Sequence, residues 1–186
     1  MREEKAMVPK KRIASVVGNA RPTALNEACA EELGRVLVDA GFRVLSGGLG
    51  GVMQAASRGA RSSSKYYSGD VIGVLPGYDA TAANEFVDIP ICTGLDYARN
   101  VIVAASGDVV FAIGGGAGTL SEIAVAWSLG KPIIVVGGPD GWATELAGRR
   151  LDDRRNEPIY GPCNPVEAVQ VAIDLLNQDR PKPKGV

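Results

Sequence analysis

A chain of 186 residues, 46% hydrophobic and 22% charged, is long enough to bury one core and too short for two, so a single domain over 1–186 is expected. Its net charge of −1 and the lack of a long Lys/Arg run exclude the concentrated basic face that nucleic acid or an anionic membrane surface would need. Three cysteines without C-x-x-C spacing, and no histidine, remove the usual zinc patterns and any disulfide framework, so a reducing cytoplasm and no metal site are expected.

The N-terminal MREEKAMVPKK lacks an apolar run of signal-peptide length, and residues 1–10 are expected to form a loose tail. Ile13 to Val17 predicts a first strand, followed by the loop GNARPTA. Leu25, Cys29, Leu33, Val36, Leu37 and Ala40 share one face of the next helix, with Thr23 or Asn26 capping its start and Gly41 at its end. Phe42 to Leu45 gives the second strand, and the glycine cluster after it opens a second helix. RSSSKYYSG, residues 61–69, reads as a mobile loop. Val71 to Leu75 is the third strand, stopped by Pro76 and Gly77, and Phe86 to Ile91 forms a fourth after YDATAANE. Tyr97 to Ser106 suits a helix, Val109 to Ile113 a buried strand, Leu120 to Leu129 a helix and Ile133 to Val136 another buried strand. Residues 137–158 mix turn residues with charges. Asn164 and Pro165 then read as the cap and first turn of a closing helix bearing Val166, Val169, Ile173 and Leu176, before a loose tail at 180–186.

The strand runs are apolar on both faces, as in a parallel sheet covered by helices on each side, and the β-α alternation points to a doubly wound α/β fold. No apolar run reaches the roughly eighteen residues of a membrane span. In open parallel sheets ligands lie beyond the carboxyl ends of the strands. That places Gly18 and Asn19, Ser46 to Gly51, Pro76 to Asp79 and Gly114 to Thr119 on the candidate face, with Arg21 nearby. Lys131 leads into its strand from the opposite edge, so no lysine is well placed for a Schiff base.

Two of these loops have the same grammar of strand, glycine cluster and helix: VLSGGLGGVMQAASRGA (44–60) and AIGGGAGTLSEIAVAWSLGKPIIVV (112–136). Glycines allow close approach of backbone to an anion, and the N–H groups and positive dipole end of a new helix favour negative charge. Two anion-binding corners facing one phosphorylated small molecule are expected, built from Ser46, Gly47 and Gly48 and from Gly115, Gly116, Gly118 and Thr119. Close packing of a helix on a sheet is the structural alternative for either cluster. Neither cluster is a nicotinamide fingerprint, which would follow the first strand, and no G-K-[ST] of a Walker loop occurs. Acid or base chemistry falls to carboxylates: Glu122 at the end of a helical first turn orients a ribose or caps its helix, and Arg99 pairs with phosphate or holds Glu122. Asp96, Asn100 and Thr119 are secondary candidates.

SGGLGGVMQAASRGA, ARN and GGGAGTLSE together resemble the superfamily of the Lonely Guy cytokinin-activating phosphoribohydrolases, once labelled lysine decarboxylases, and the molybdenum cofactor carrier proteins. The likeness spans roughly Ile13 to Val136. It implies a Rossmann-like fold, a homodimer or higher homo-oligomer, and a phosphate site at a glycine-led helix. The hydrolase pattern P-G-G-x-G-T-x-x-E places its glutamate on Glu122 and its catalytic arginine on Arg99, but its proline is Gly114 here and the lysine after the arginine is Asn100. These departures favour the carrier branch, which holds a pterin phosphate without cleaving it; Arg21 or Arg58 would have to replace the missing lysine. The alternative is a nucleoside 5′-monophosphate phosphoribohydrolase releasing free base and ribose 5-phosphate, with Arg99 and Glu122 catalytic. No cofactor is required on either reading, molybdenum cofactor being carried cargo on the first. Val101, Ile102, Val103, Trp127 and Leu129 offer apolar surface for the expected homo-oligomer.

Overall fold

The computed structural model describes residues 10–138 and 140–178. Seven strands, β1 (Ile13–Gly18), β2 (Arg43–Ser46), β3 (Val71–Leu75), β4 (Ile89–Cys92), β5 (Val109–Ile113), β6 (Ile133–Val136) and β7 (Tyr160–Cys163), form one sheet in the order β4-β3-β2-β1-β5-β6-β7. Every pairing is parallel. Helices α1 (Ala24–Asp39), α2 (Val52–Ser62), α3 (Arg99–Ser106), α4 (Ala117–Ser128), α5 (Gly141–Leu146) and α6 (Pro165–Leu176) complete the alternation. This is the expected α/β architecture, a Rossmann-like doubly wound sheet with helices on both faces. Among the described residues no helix is long and apolar enough to cross a membrane.

β5 explains the apolar strand runs. Val109, Phe111 and Ile113 enter one buried layer with Leu33, Leu37 and Ala56, while Val110 and Ala112 enter the other with Ile123, Trp127 and Ile133. A central strand buried on both faces has no polar positions to alternate with. The chain runs from β1 outward to β4, then returns to place β5 on the other side of β1. Connections leave β1 and β5 in opposite directions, and a crevice opens at their carboxyl ends.

Helices α1 and α2 cross at two glycines. A Cβ on Gly34 would lie 2.0 Å from the Ala56 carbonyl oxygen, and one on Gly59 would lie 1.7 Å from that of Glu31. Gly59, inside the first glycine-rich segment, thus serves helix packing and not the ligand face. This crossing also turns α1 away from the expected face. Its buried residues are Asn26, Ala30, Leu33, Gly34, Leu37 and Val38, and Leu25 is 54% exposed. Thr23 is the cap, accepting a hydrogen bond from Asn26 N at 3.3 Å, whereas the Asn26 side chain is buried, donating to Asp140 Oδ1 and accepting from Gly138 N.

Several other boundaries differ. Phe86 and Val87 precede β4 because the chain turns there, Val87 N donating to the Asn84 carbonyl. α2 runs to Ser62, and the rest of the expected mobile loop is tied to the end of α1, with Ser63 Oγ donating to Asp39 Oδ1 and Lys65 Nζ to the Asp39 carbonyl. A 3-10 turn, Asp96–Ala98, holds Tyr97 ahead of α3. The irregular segment 137–158 contains α5, and β7 was not expected at all. Asn164 caps α6 in a capping box with Glu167, although Val166 is exposed. Val103 and Trp127, expected at a surface, are core. The tails expected at 1–10 and 180–186 lie, Lys10 apart, outside the described residues.

Candidate functional site

The crevice at the sheet's switch point is a cleft of about 410 Å³, within the size range of small-molecule sites. Gly18 at the end of β1 and Asn19 after it, Gly47 after β2, Arg99 at the head of α3, and Gly116, Gly118, Thr119 and Glu122 around the start of α4 all line it. The two glycine loops and the Arg99–Glu122 pair, far apart in sequence, meet here.

The start of α4 forms an open cradle of backbone N–H groups facing the cleft. Gly116 precedes the helix, and the first intrahelical bond runs from Leu120 N to the Gly116 carbonyl at 3.0 Å. The N–H groups of Ala117, Gly118 and Thr119 therefore have no carbonyl of their own helix to bond. Gly116 itself has an unstrained φ of −100°, and nothing stands within 4 Å of where its Cβ would be, so the space beside it is free for a ligand.

The remaining glycines build the cradle from behind. Gly115 does not line the cleft; its N–H donates to Asn19 Oδ1 at 2.7 Å, and its carbonyl accepts from Trp142 N. Gly114 holds φ +57°, and a Cβ there would come within 2.2 Å of Asn19 Oδ1. Ser46 and Gly48 also lie outside the lining: buried Ser46 Oγ accepts from Gly48 N at 3.1 Å, and the Gly48 carbonyl accepts from Asn84. The start of α2 differs in that Val52 N donates to the Asn19 carbonyl at 2.9 Å, which leaves the N–H groups of Met53 and Gln54 ahead of the first intrahelical bond, from Ala55 N to the Gly51 carbonyl. The first cluster supplies a wall through Gly47, Leu49 and Met53.

Arg99 is buried, and its Nη1 has no hydrogen-bond partner. The guanidinium packs against Gly47, where a Cβ would stand 1.8 Å from Nη1, so that position has no room for a side chain. Burial lowers the Arg99 pKa, against the opposing pull of Glu122. Glu122 is the sixth residue of α4, in its second turn and not at the end of the first. It neither caps the helix nor meets the helix dipole at close range. Burial pushes its carboxyl up to about 7, with the Arg99 charge working in the other direction.

Other sequence candidates fall away from the cleft. Arg58 is tied to Glu27 and Glu31 at 3.1 and 2.7 Å, and Arg21 is exposed outside the lining. Neither replaces the lysine missing after Arg99. Asn100 does line the cleft, and its Nδ2 donates to Ser121 Oγ at 3.0 Å, bracing α3 against α4. Asp79 caps a 3-10 turn, Ala80–Ala82, in the loop after β3. Leu49 lies in the loop already placed on the candidate face, whereas Met53 and Tyr97 are lining residues that the sequence analysis did not single out. The one available signal was the place of Tyr97 two residues before Arg99.

Comparison with known proteins supports the fold and gives its family. The chain is 40% identical over 115 residues to an uncharacterized protein of Archaeoglobus fulgidus, covering 58% of this chain and 73% of that one. Its fold matches the molybdenum cofactor binding protein of Rippkaea orientalis with a TM-score of 0.78 at 32% identity, covering 90% of this chain and 99% of that one. The molybdenum cofactor carrier protein of Chlamydomonas reinhardtii matches with a TM-score of 0.72 at 33% identity, covering 89% and 98%. A family model spans residues 11–160, and the chain belongs to the SLOG cluster4 family, within the superfamily that joins Lonely Guy proteins and molybdenum cofactor carriers.

Proposed function

We propose that this protein binds a phosphorylated pterin of the molybdenum cofactor type in the cleft and carries it without cleaving it. One observation carries the reading: a buried arginine with an unpartnered Nη1 lines the same cleft as the free N–H groups at the start of α4. A phosphate placed there accepts from the backbone and pairs with the guanidinium through charge-assisted hydrogen bonds, giving both the partners that folding withholds. Two features favour carriage over hydrolysis. Gly114 occupies a left-handed conformation closed to the proline of the hydrolase pattern, and Asn100 braces Ser121 where that pattern has a lysine. Glu122 then orients the ligand as a neutral carboxyl donor or as an acceptor. Mass spectrometry of the small molecule released when the purified protein is denatured tests this directly. A phosphorylated pterin is expected; a nucleotide, or its free base, would overturn the carrier assignment.

The second reading, a nucleoside monophosphate phosphoribohydrolase, is favoured by the same Glu122. A carboxyl held at about 7 beside an arginine is in the range suited to acid or base work. Incubation with AMP and a cytokinin-type nucleotide, followed for free base and ribose 5-phosphate, separates the two. Carriage expects no release above background. Hydrolysis expects release that drops by about two or more orders of magnitude in Glu122→Gln.

A further inference from the structure

The cleft lining mixes two chemistries: Arg99, Thr119 and the backbone at Gly116 and Gly118 are polar, whereas Leu49, Met53 and Tyr97 add two apolar side chains and an aromatic ring. Tyr97 lines the cleft while remaining 81% exposed, so its ring contributes little to the core. The turn that presents it is costly to make. Asp96, immediately before it, holds φ +49°, the one positive φ at a non-glycine among the described residues. Bonds to the loop after β3 hold that conformation: Asp96 N donates to the Pro76 carbonyl at 3.0 Å, Gly94 N to that of Gly77 at 3.2 Å, and Thr93 Oγ1 to that of Leu75 at 2.7 Å. These bonds hold the backbone that presents Tyr97 to the cleft, two residues before the buried arginine.

We infer that Tyr97 is a specificity-determining residue whose ring, with Leu49 and Met53, takes the flat heteroaromatic ring of a ligand anchored by its phosphate at the start of α4. The inference rests on the phosphate-site reading above and adds the ring to it. Planar rings stack offset on a tyrosine face, and a methionine thioether makes favourable contacts with ring edges. Stacking of this kind tolerates any flat heterocycle, so the subsite selects ring-bearing phosphates over bare ones.

Calorimetry with three probes tests it: GMP, whose pyrimidine ring carries the same amino and oxo groups as a pterin, then ribose 5-phosphate and inorganic phosphate. For Tyr97→Ala, GMP affinity is expected to fall by about 5- to 100-fold, the range for losing one stacked base, while both ringless probes stay within about two-fold. Tyr97→Phe is expected to keep GMP affinity within about two-fold, since it keeps the ring. Melting curves of both variants show whether the fold is intact. GMP affinity unchanged in Tyr97→Ala, or an equal loss for GMP and ribose 5-phosphate, overturns the ring subsite while leaving the phosphate site standing. Binding of none of the three probes to the unaltered protein overturns the phosphate reading and the ring subsite with it.

Discussion

Arg99 and Glu122 are held in the fold at a cost, and each makes a prediction. A buried guanidinium nitrogen without a partner costs about 1–3 kcal/mol or more. Arg99→Met, which keeps the apolar volume, is therefore expected to raise the melting temperature while weakening phosphate binding about tenfold or more; a variant that melts lower would show that the arginine is a structural brace. Glu122 works in the opposite sense to most carboxylates. Its folded pKa of about 7 lies above the ordinary glutamate value of 4.5, so the unfolded chain loses this proton first. The stability it contributes is fully present below about pH 4.5 and is lost as pH rises through about 7, a change on the order of 3 kcal/mol. Urea midpoints at about pH 5 and about pH 8 should show a decline in the unaltered protein that is largely absent in Glu122→Gln. Identical pH profiles for the two would place the Glu122 pKa near its ordinary value.

Among the elements, those buried on both faces were the most legible from sequence. β3, β5 and β6 have the boundaries expected of them, because a continuous apolar run flanked by turn residues has few other solutions. α5 and β7 were not legible. α5 is six residues long, β7 contains Gly161 and Pro162, and neither is long enough to display a period. The buried face of α1 was misread because Ala30 and Gly34 pack it through smallness, which a hydrophobic pattern does not register. The same crossing gives a clear test. Gly59→Ala would drive a methyl onto the Glu31 carbonyl, and a loss of about 1–3 kcal/mol is expected from chemical denaturation. An unchanged midpoint would mean that α1 and α2 separate easily.

At the scale of the whole molecule, the sheet order determines where the chemistry can sit. The alternation of strands and helices pointed to the carboxyl-end loops, and nine of the named sequence candidates line one cleft: Gly18, Asn19, Gly47, Arg99, Asn100, Gly116, Gly118, Thr119 and Glu122. What sequence could not supply was which N–H groups remain free. The two glycine clusters look equivalent in sequence, yet a tertiary contact takes the first N–H of α2, that of Val52, with the Asn19 carbonyl, while among the described residues the start of α4 has no such contact. Assembly is the other molecular property at issue. Val103 and Trp127 are withdrawn into the core, while Leu95 and Val101 remain exposed around α3, and strand β4 at the sheet edge exposes Ile89 and Ile91. We expect this uncovered side to join copies of the chain as a homodimer or larger. Light scattering at micromolar concentration checks it, and a monomeric mass would remove the expectation.

The backbone bonds from Trp142 and Ala143 to the carbonyls of Gly115 and Gly114 tie the head of α5 to the back of the cradle. The Trp142 ring is 45% exposed, whereas the chain's other tryptophan, Trp127, is buried beneath Arg155 with its Nε1 donating to Asp152. One tryptophan is thus tied by its backbone to the cradle with its side chain half in solvent, and the other is sealed in the core. The protein carries its own optical reporter: filling the cradle should change the emission of Trp142, and Trp142→Phe should silence that signal while Trp127→Phe leaves it in place.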